Sequence, residues 1–153
     1  MKRTLSLILA LLLCLSLCAC DVLSLLNNSK EISPGVAEID DCIVTITDCK
    51  AQINTQTGGI IAVVWVDFTN NSDQTKSLFF TAHIKAFQNG VEIKKPSTWW
   101  PSRHGIEQRD TDDVLPGYSL STGYAFSLED TSAPVLIQIC DGSTVISEIT
   151  YKL

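Results

Sequence analysis

Few residues of this 153-residue chain could do chemistry: six cysteines, two histidines, an aspartate-rich stretch and a tryptophan pair. Cys14, Cys18 and Cys20 end an apolar run, whereas Cys42, Cys49 and Cys140 lie well beyond it. After residue 20 there is no Cys-x-x-Cys pair, and His83 and His104 stand at no metal-ligand spacing from the thiols, so neither a metal nor another cofactor is expected. The two histidines also raise a hydrolase. No Gly-x-Ser-x-Gly elbow exists to carry a nucleophile. The run Ser102-Arg103-His104 is no substitute, because triad members meet through the fold and not along the chain. The expectation is a protein without enzymatic activity. Asp110, Asp112 and Asp113 could offer oxygens to Ca²⁺, but the glycine and distal glutamate of a calcium loop are missing. They read as a solvated acidic loop with Arg103 and Arg109 beside it. Trp99 and Trp100 are the residues best suited to a ligand or partner, since exposed indoles supply large, rigid contact area for proteins and sugars. The alternative is that they cap an open end of the fold. Trp65, inside the most apolar run of the domain, reads as core.

The elements that must carry these residues begin with a leader. Lys2 and Arg3 precede sixteen almost wholly apolar residues, Thr4 to Ala19, as in a secretory signal. A permanent span needs about 20 apolar residues, and this run meets Asp21 first. Leu17-Cys18-Ala19-Cys20 resembles a bacterial lipobox. That resemblance implies a diacylglyceryl group on the Cys20 thiol, cleavage before it, and a domain anchored to the cell membrane on its extracellular side. Two or more acyl chains suffice for stable anchoring. An ordinary signal peptide is the alternative. Residues 1–19 are then the leader, 20–40 a lipidated cysteine with a flexible tether, and 41–153 the folded domain. Ser33-Pro34-Gly35 argues against regular structure in the tether.

The whole chain carries a net charge of −6, and loss of residues 1–19 removes two bases and no acid, leaving −8. Nucleic acid, which wants a basic face, is excluded as a partner. Adhesion to anionic lipid beyond the acyl anchor is disfavoured.

From residue 42 the apolar period is two. Val44 and Ile46 alternate with Thr45 and Thr47 as in a half-buried strand. Ile60 to Phe68 is apolar on both faces until Asp67, the mark of a central strand. Leu78 to Phe87 reads as a further strand, and Asn89-Gly90 is the strongest hairpin signal. After a long irregular stretch, 96–113, Leu120, Tyr124, Phe126 and Leu128 share a face; Val135, Ile137 and Ile139 share another. About seven short strands separated by turn signals, with no helix after residue 30, predict an all-β antiparallel sandwich; a barrel is the alternative. By the same parity Cys42 points inward, while Cys49 and Cys140 point away from the core. A Cys49–Cys140 disulfide follows if their strands are neighbours; three reduced thiols are the alternative.

Val66-Asp67-Phe68-Thr69-Asn70-Asn71-Ser72, Ala86-Phe87-Gln88-Asn89-Gly90-Val91-Glu92, Leu115-Pro116-Gly117-Tyr118-Ser119-Leu120 and Leu128-Glu129-Asp130 resemble bacterial lipoproteins that carry the domain of unknown function numbered 5067. The resemblance covers residues 40–153 and implies an exported, immunoglobulin-like sandwich. It implies no catalytic residues, and Trp99, Trp100 and the three domain cysteines are not part of its pattern.

The function expected is therefore that of a membrane-anchored lipoprotein acting as a non-enzymatic binding or accessory module at the cell surface. Its partners are the membrane through acylated Cys20 and an envelope protein or glycan. The alternative is a structural envelope subunit that pairs through an exposed strand edge, with a hydrolase a distant third.

Overall fold

Alternating apolar residues build two long strands that organise everything else. The computed structural model describes residues 33–97 and 107–153. In it β2 (Cys42–Ile53) and β3 (Ile60–Asn70) form an antiparallel hairpin closed by the loop that holds Gly58 and Gly59. On one flank of the hairpin lies β1 (Val36–Ile39), and on the other β6 (Ser119–Leu128), giving the sheet order β1-β2-β3-β6. Between β3 and β6 the chain leaves for a second sheet. A single helical turn, α1 (Leu78–Thr81), leads into β4 (His83–Gln88) and β5 (Val91–Glu92). With β7 (Val135–Asp141) and β8 (Thr144–Tyr151) these make the order β5-β4-β7-β8. Every pairing is antiparallel.

The two sheets bury their inner faces against each other. Val44, Ala62, Val64, Val66, Phe68, Tyr124 and Phe126 from one sheet meet Ile84, Ala86, Val135, Ile137 and Ile139 from the other. This is the expected all-β sandwich, with eight strands instead of seven. The added strand is β1. The tether expected over residues 20–40 has given way to sheet by Val36, where Ala37 and Ile39 point into the core. What makes this possible is a two-residue turn in which Asp40 and Asp41 both take positive φ, at 48° and 59°, the backbone that a tight hairpin demands. Gly35, at φ +76°, takes a backbone that side chains rarely adopt, and a Cβ there would press on the Ile149 side chain of β8 at 3.2 Å. Asn89-Gly90 forms the β4–β5 hairpin as expected, both residues at positive φ.

The strand expected from Leu78 is shorter than the sequence suggests. Leu78 and Thr81 are buried at helical spacing while Phe79 and Phe80 face outward, so one turn of helix replaces its first four residues and the strand begins at His83. A strand would have turned one of the two phenylalanines inward.

Candidate functional site

Two β-bulges decide which side chains reach a surface. Ile46 pairs with Val66 and Asp48 with Trp65, so Thr47 is an extra residue in β2. A bulge of this kind reverses the parity of everything after it. Cys49 therefore turns into the core, contrary to expectation, and Asp48 and Lys50 turn out. Cys140 lies at the second irregularity, between β7 and β8, and is buried as well. The expected Cys49–Cys140 disulfide is absent: β2 and β7 belong to opposite sheets, and all three cysteines are free and buried. Burial pushes the Cys49 thiol up to about 12, with the Asp48 carboxylate adding to it. The thiols of Cys42 and Cys140 are raised too, again chiefly by burial. A protonated, buried thiol is neither a nucleophile nor a metal ligand.

Trp65 is the larger correction. It is not a core residue. On β3 the even positions from Ala62 to Asn70 face the core and the odd ones face outward, so Trp65 sits on the outer face of its sheet, half-buried. There it packs against Ile61, Val63 and Ala125, a second apolar cluster on the side away from the other sheet. Its cross-strand neighbour on β6 is Gly123, which has no side chain to wall off the indole. The Lys50 ammonium lies 5.6 Å from the ring centre, a cation–π distance. Lys50 also pairs with Asp48, and that contact above all holds the Asp48 carboxyl below its ordinary range. Next along the face, Ser121 donates to the Asp67 carboxylate at 2.6 Å.

These residues line a concavity of about 480 Å³ whose walls are Thr47, Asp48, Lys50, Asp67, Glu107 and Ser121 around Trp65. One rim is fixed by Thr122 of β6. Its hydroxyl accepts from the Arg109 backbone N–H at 2.9 Å and donates to the Glu107 carbonyl at 3.2 Å. Arg109 is in turn held by Asp112 at 2.8 Å. The arrangement offers an aromatic platform, hydroxyls and three carboxylates, set against the Lys50 ammonium and the Arg109 guanidinium 3.9 Å from Glu107. The Ser121 hydroxyl and the Asp67 carboxylate are held by each other, and what the groove presents to a ligand is an indole face with a polar edge. A concavity of similar size at the opposite end, between Gln88, Val91, Lys94 and Glu129, has no aromatic platform.

Asp110, Asp112 and Asp113 do not converge. Asp110 is buried behind α1, Asp112 is taken by Arg109, and Asp113 is exposed; no group of metal-binding side chains occurs among the described residues. His83 is exposed on β4 opposite Cys140. Cys20, Trp99, Trp100, Arg103 and His104 lie outside the described residues. Sequence reasoning missed the Trp65 groove because an odd residue in a run apolar at every position gives no parity signal. The signal that was available is Asp67, two residues on and so on the same face, which is polar where a core face would not be.

A family model described as a domain of unknown function, DUF5067, matches residues 25–141. No curated protein matches the chain. Among solved structures, a chain titled "Structure of a putative lipoprotein from Staphylococcus aureus subsp. aureus NCTC 8325" is similar at a TM-score of 0.61 and 8% identity, covering 80% of this chain and 90% of its own. At that identity the likeness is one of fold.

Proposed function

The chain belongs to the DUF5067 family, and we propose that it is a cell-surface lipoprotein, anchored through Cys20, that binds envelope glycan without enzymatic turnover. The lipobox-like stretch and the fold shared with a chain titled a lipoprotein support the anchor. Among the described residues no helix is long and apolar enough to cross a membrane. The crossover that pairs β3 with β6 while β4 and β5 join the other sheet supports an immunoglobulin-like reading.

The observation that carries the binding reading is Trp65, an indole held on a sheet face inside a polar-walled concavity. A sugar ring presents C–H groups on its faces and hydroxyls at its edges. An indole takes the first, and Asp48, Asp67, Thr47 and Ser121 take the second. With three carboxylates against the Lys50 and Arg109 cations the groove keeps a small acidic excess, so the ligand class is a neutral or amino-bearing saccharide sooner than a polyanion. The edge-pairing alternative has less support. The edge of β6 is engaged where Ser127 donates to the Lys94 carbonyl at 2.8 Å and β5 is two residues long, so such pairing would rest on β8, an eight-residue edge strand.

Co-sedimentation of the full chain with purified, protein-free cell-envelope glycan tests the reading. The wild type should sediment with it and Trp65→Ala should lose at least about tenfold in affinity, on the scale of an aromatic anchor. Equal sedimentation of the two would overturn it. Mass spectrometry of the mature N-terminus tests the anchor separately: an unmodified terminus elsewhere than Cys20 would defeat it.

A further inference from the structure

Four large apolar side chains at one end of the sandwich are left in water by a framework rigid enough to have buried them. Phe79 and Phe80, on the single turn α1, are 47% and 86% exposed and meet edge to face at 5.1 Å between ring centres. Leu115 and Tyr118, on the segment that runs back into β6, are 59% and 66% exposed. The two segments are tied together. Lys76 and Val114 exchange both backbone hydrogen bonds, and the Phe79 N–H donates to the Asp110 carbonyl at 2.8 Å.

Asn70 locks the same end. Fully buried, it donates through Nδ2 to the carbonyls of Gln74 and Val114, each at 2.8 Å, and accepts from the N–H and hydroxyl of Ser72. Its backbone pairs with Tyr118 and Gly117. The aromatics are thus presented on a pre-ordered frame, which lowers the ordering cost of any contact they make.

The charge around them has one sign. Asp40 and Asp41 of the β1–β2 turn reach this end through the Asn71 N–H, which donates to the Asp41 carbonyl at 3.0 Å. Asp73, Asp112 and Asp113 lie on the two tied segments, all exposed. The bases nearby, Lys76 and Arg109, already face Asp40 at 4.0 Å and Asp112 at 2.8 Å. Among the described residues no base is paired with Asp41, Asp73 or Asp113. Exposed apolar side chains and unpaired carboxylates carried on the same tied segments are the ingredients of a protein-docking surface.

We propose that this tip docks a basic segment of a partner protein, one that sets an aliphatic or aromatic side chain among Phe79, Phe80, Leu115 and Tyr118 while its lysines or arginines meet the carboxylates. Anionic lipid and a second copy of the tip would both bring like charge against it. The surface lies apart from Trp65, although the Arg109–Asp112 pair borders both, and it does not rest on the groove's ligand.

The test passes synthetic peptides of about a dozen residues over the immobilised full chain: Leu- or Phe-centred with Lys/Arg flanks, the same with Glu flanks, and charge-matched peptides without the apolar centre. The first set should bind, and raised salt should weaken it. Phe80→Ser should reduce binding by about tenfold or more, and a triple Asp41→Asn, Asp73→Asn, Asp113→Asn variant should abolish its salt dependence. Val91→Ser, at another exposed apolar residue, on β5, should leave binding unchanged; thermal unfolding checks that Phe80→Ser stays folded. Binding by no peptide, equal binding of Glu-flanked peptides, or indifference to Phe80→Ser would overturn the proposal. So would phosphatidylcholine vesicles, or the chain itself, binding in a Phe80-dependent manner while the basic peptides do not.

Discussion

Two buried polar residues make the sharpest claims about single positions. Asn70 satisfies five partners with one side chain, counting the Cys42 thiol at 3.7 Å. Replacing it by alanine removes its hydrogen bonds to the Gln74 and Val114 carbonyls and takes the acceptor from the Ser72 N–H and the buried Cys42 thiol, at a cost of about 2–3 kcal/mol. Urea unfolding of Asn70→Ala should show that loss, whereas Asn71→Ala, exposed and one residue on, should be near neutral. Cys49 makes a claim about pH. Its folded-state value, about 12, stands above its ordinary 9.0. The folded protein therefore keeps a proton that the unfolded chain releases. Stability from this group is complete below about pH 9 and is lost as pH climbs towards 12, since there the unfolded state binds fewer protons. Cys49→Ala should flatten that alkaline fall, read from unfolding free energies across the range. At neutral pH none of the three thiols should react with a thiol reagent until the protein is unfolded.

At the scale of strands and turns, two glycines that look alike in sequence separate. Gly35 and Gly90 both take positive φ, at +76° and +78°. A methyl group at Gly90 would meet nothing within 4 Å, but at Gly35 it would sit 3.2 Å from the Ile149 Cγ2. Gly90→Ala should cost only the backbone term, about 1 kcal/mol, and Gly35→Ala distinctly more. Equal costs would mean that β1 does not press on β8 as described. The same scale shows what could be read beforehand. Strands with one wet face were legible: Leu120, Tyr124, Phe126 and Leu128, and Val135, Ile137 and Ile139, all face as their alternation says. Asn89-Gly90 named its own hairpin. A bulge leaves no mark in the sequence, because Thr47 is as suited to a regular strand as to a bulge. Every inference about Cys49 made from parity failed at that residue. β1 was hidden by Ser33-Pro34-Gly35, which signals a break without saying how soon the chain resumes. The turn at Leu78–Thr81 was hidden because two phenylalanines favour a strand on propensity alone.

For the molecule as a whole, the sandwich separates three tasks by place. The inner faces hold it together, the outer face of β2, β3 and β6 carries the Trp65 groove, and the end at α1 carries the exposed aromatics and carboxylates. The net charge of −6 fits both surfaces, since both are acidic. The architecture was legible and the groove was not. A sheet's inner face is set by its own alternation, whereas its outer face is decided by which residues a bulge and a glycine leave uncovered. The central claim is that the outer face at Trp65 is where ligand arrives. Chemical-shift mapping of the full chain in detergent, as solubilised envelope glycan is titrated in, tests it most directly. The Trp65 indole N–H and the amides of Thr47, Asp67 and Ser121 should move together and saturate. Shifts confined to other faces, or none at all, would contradict it.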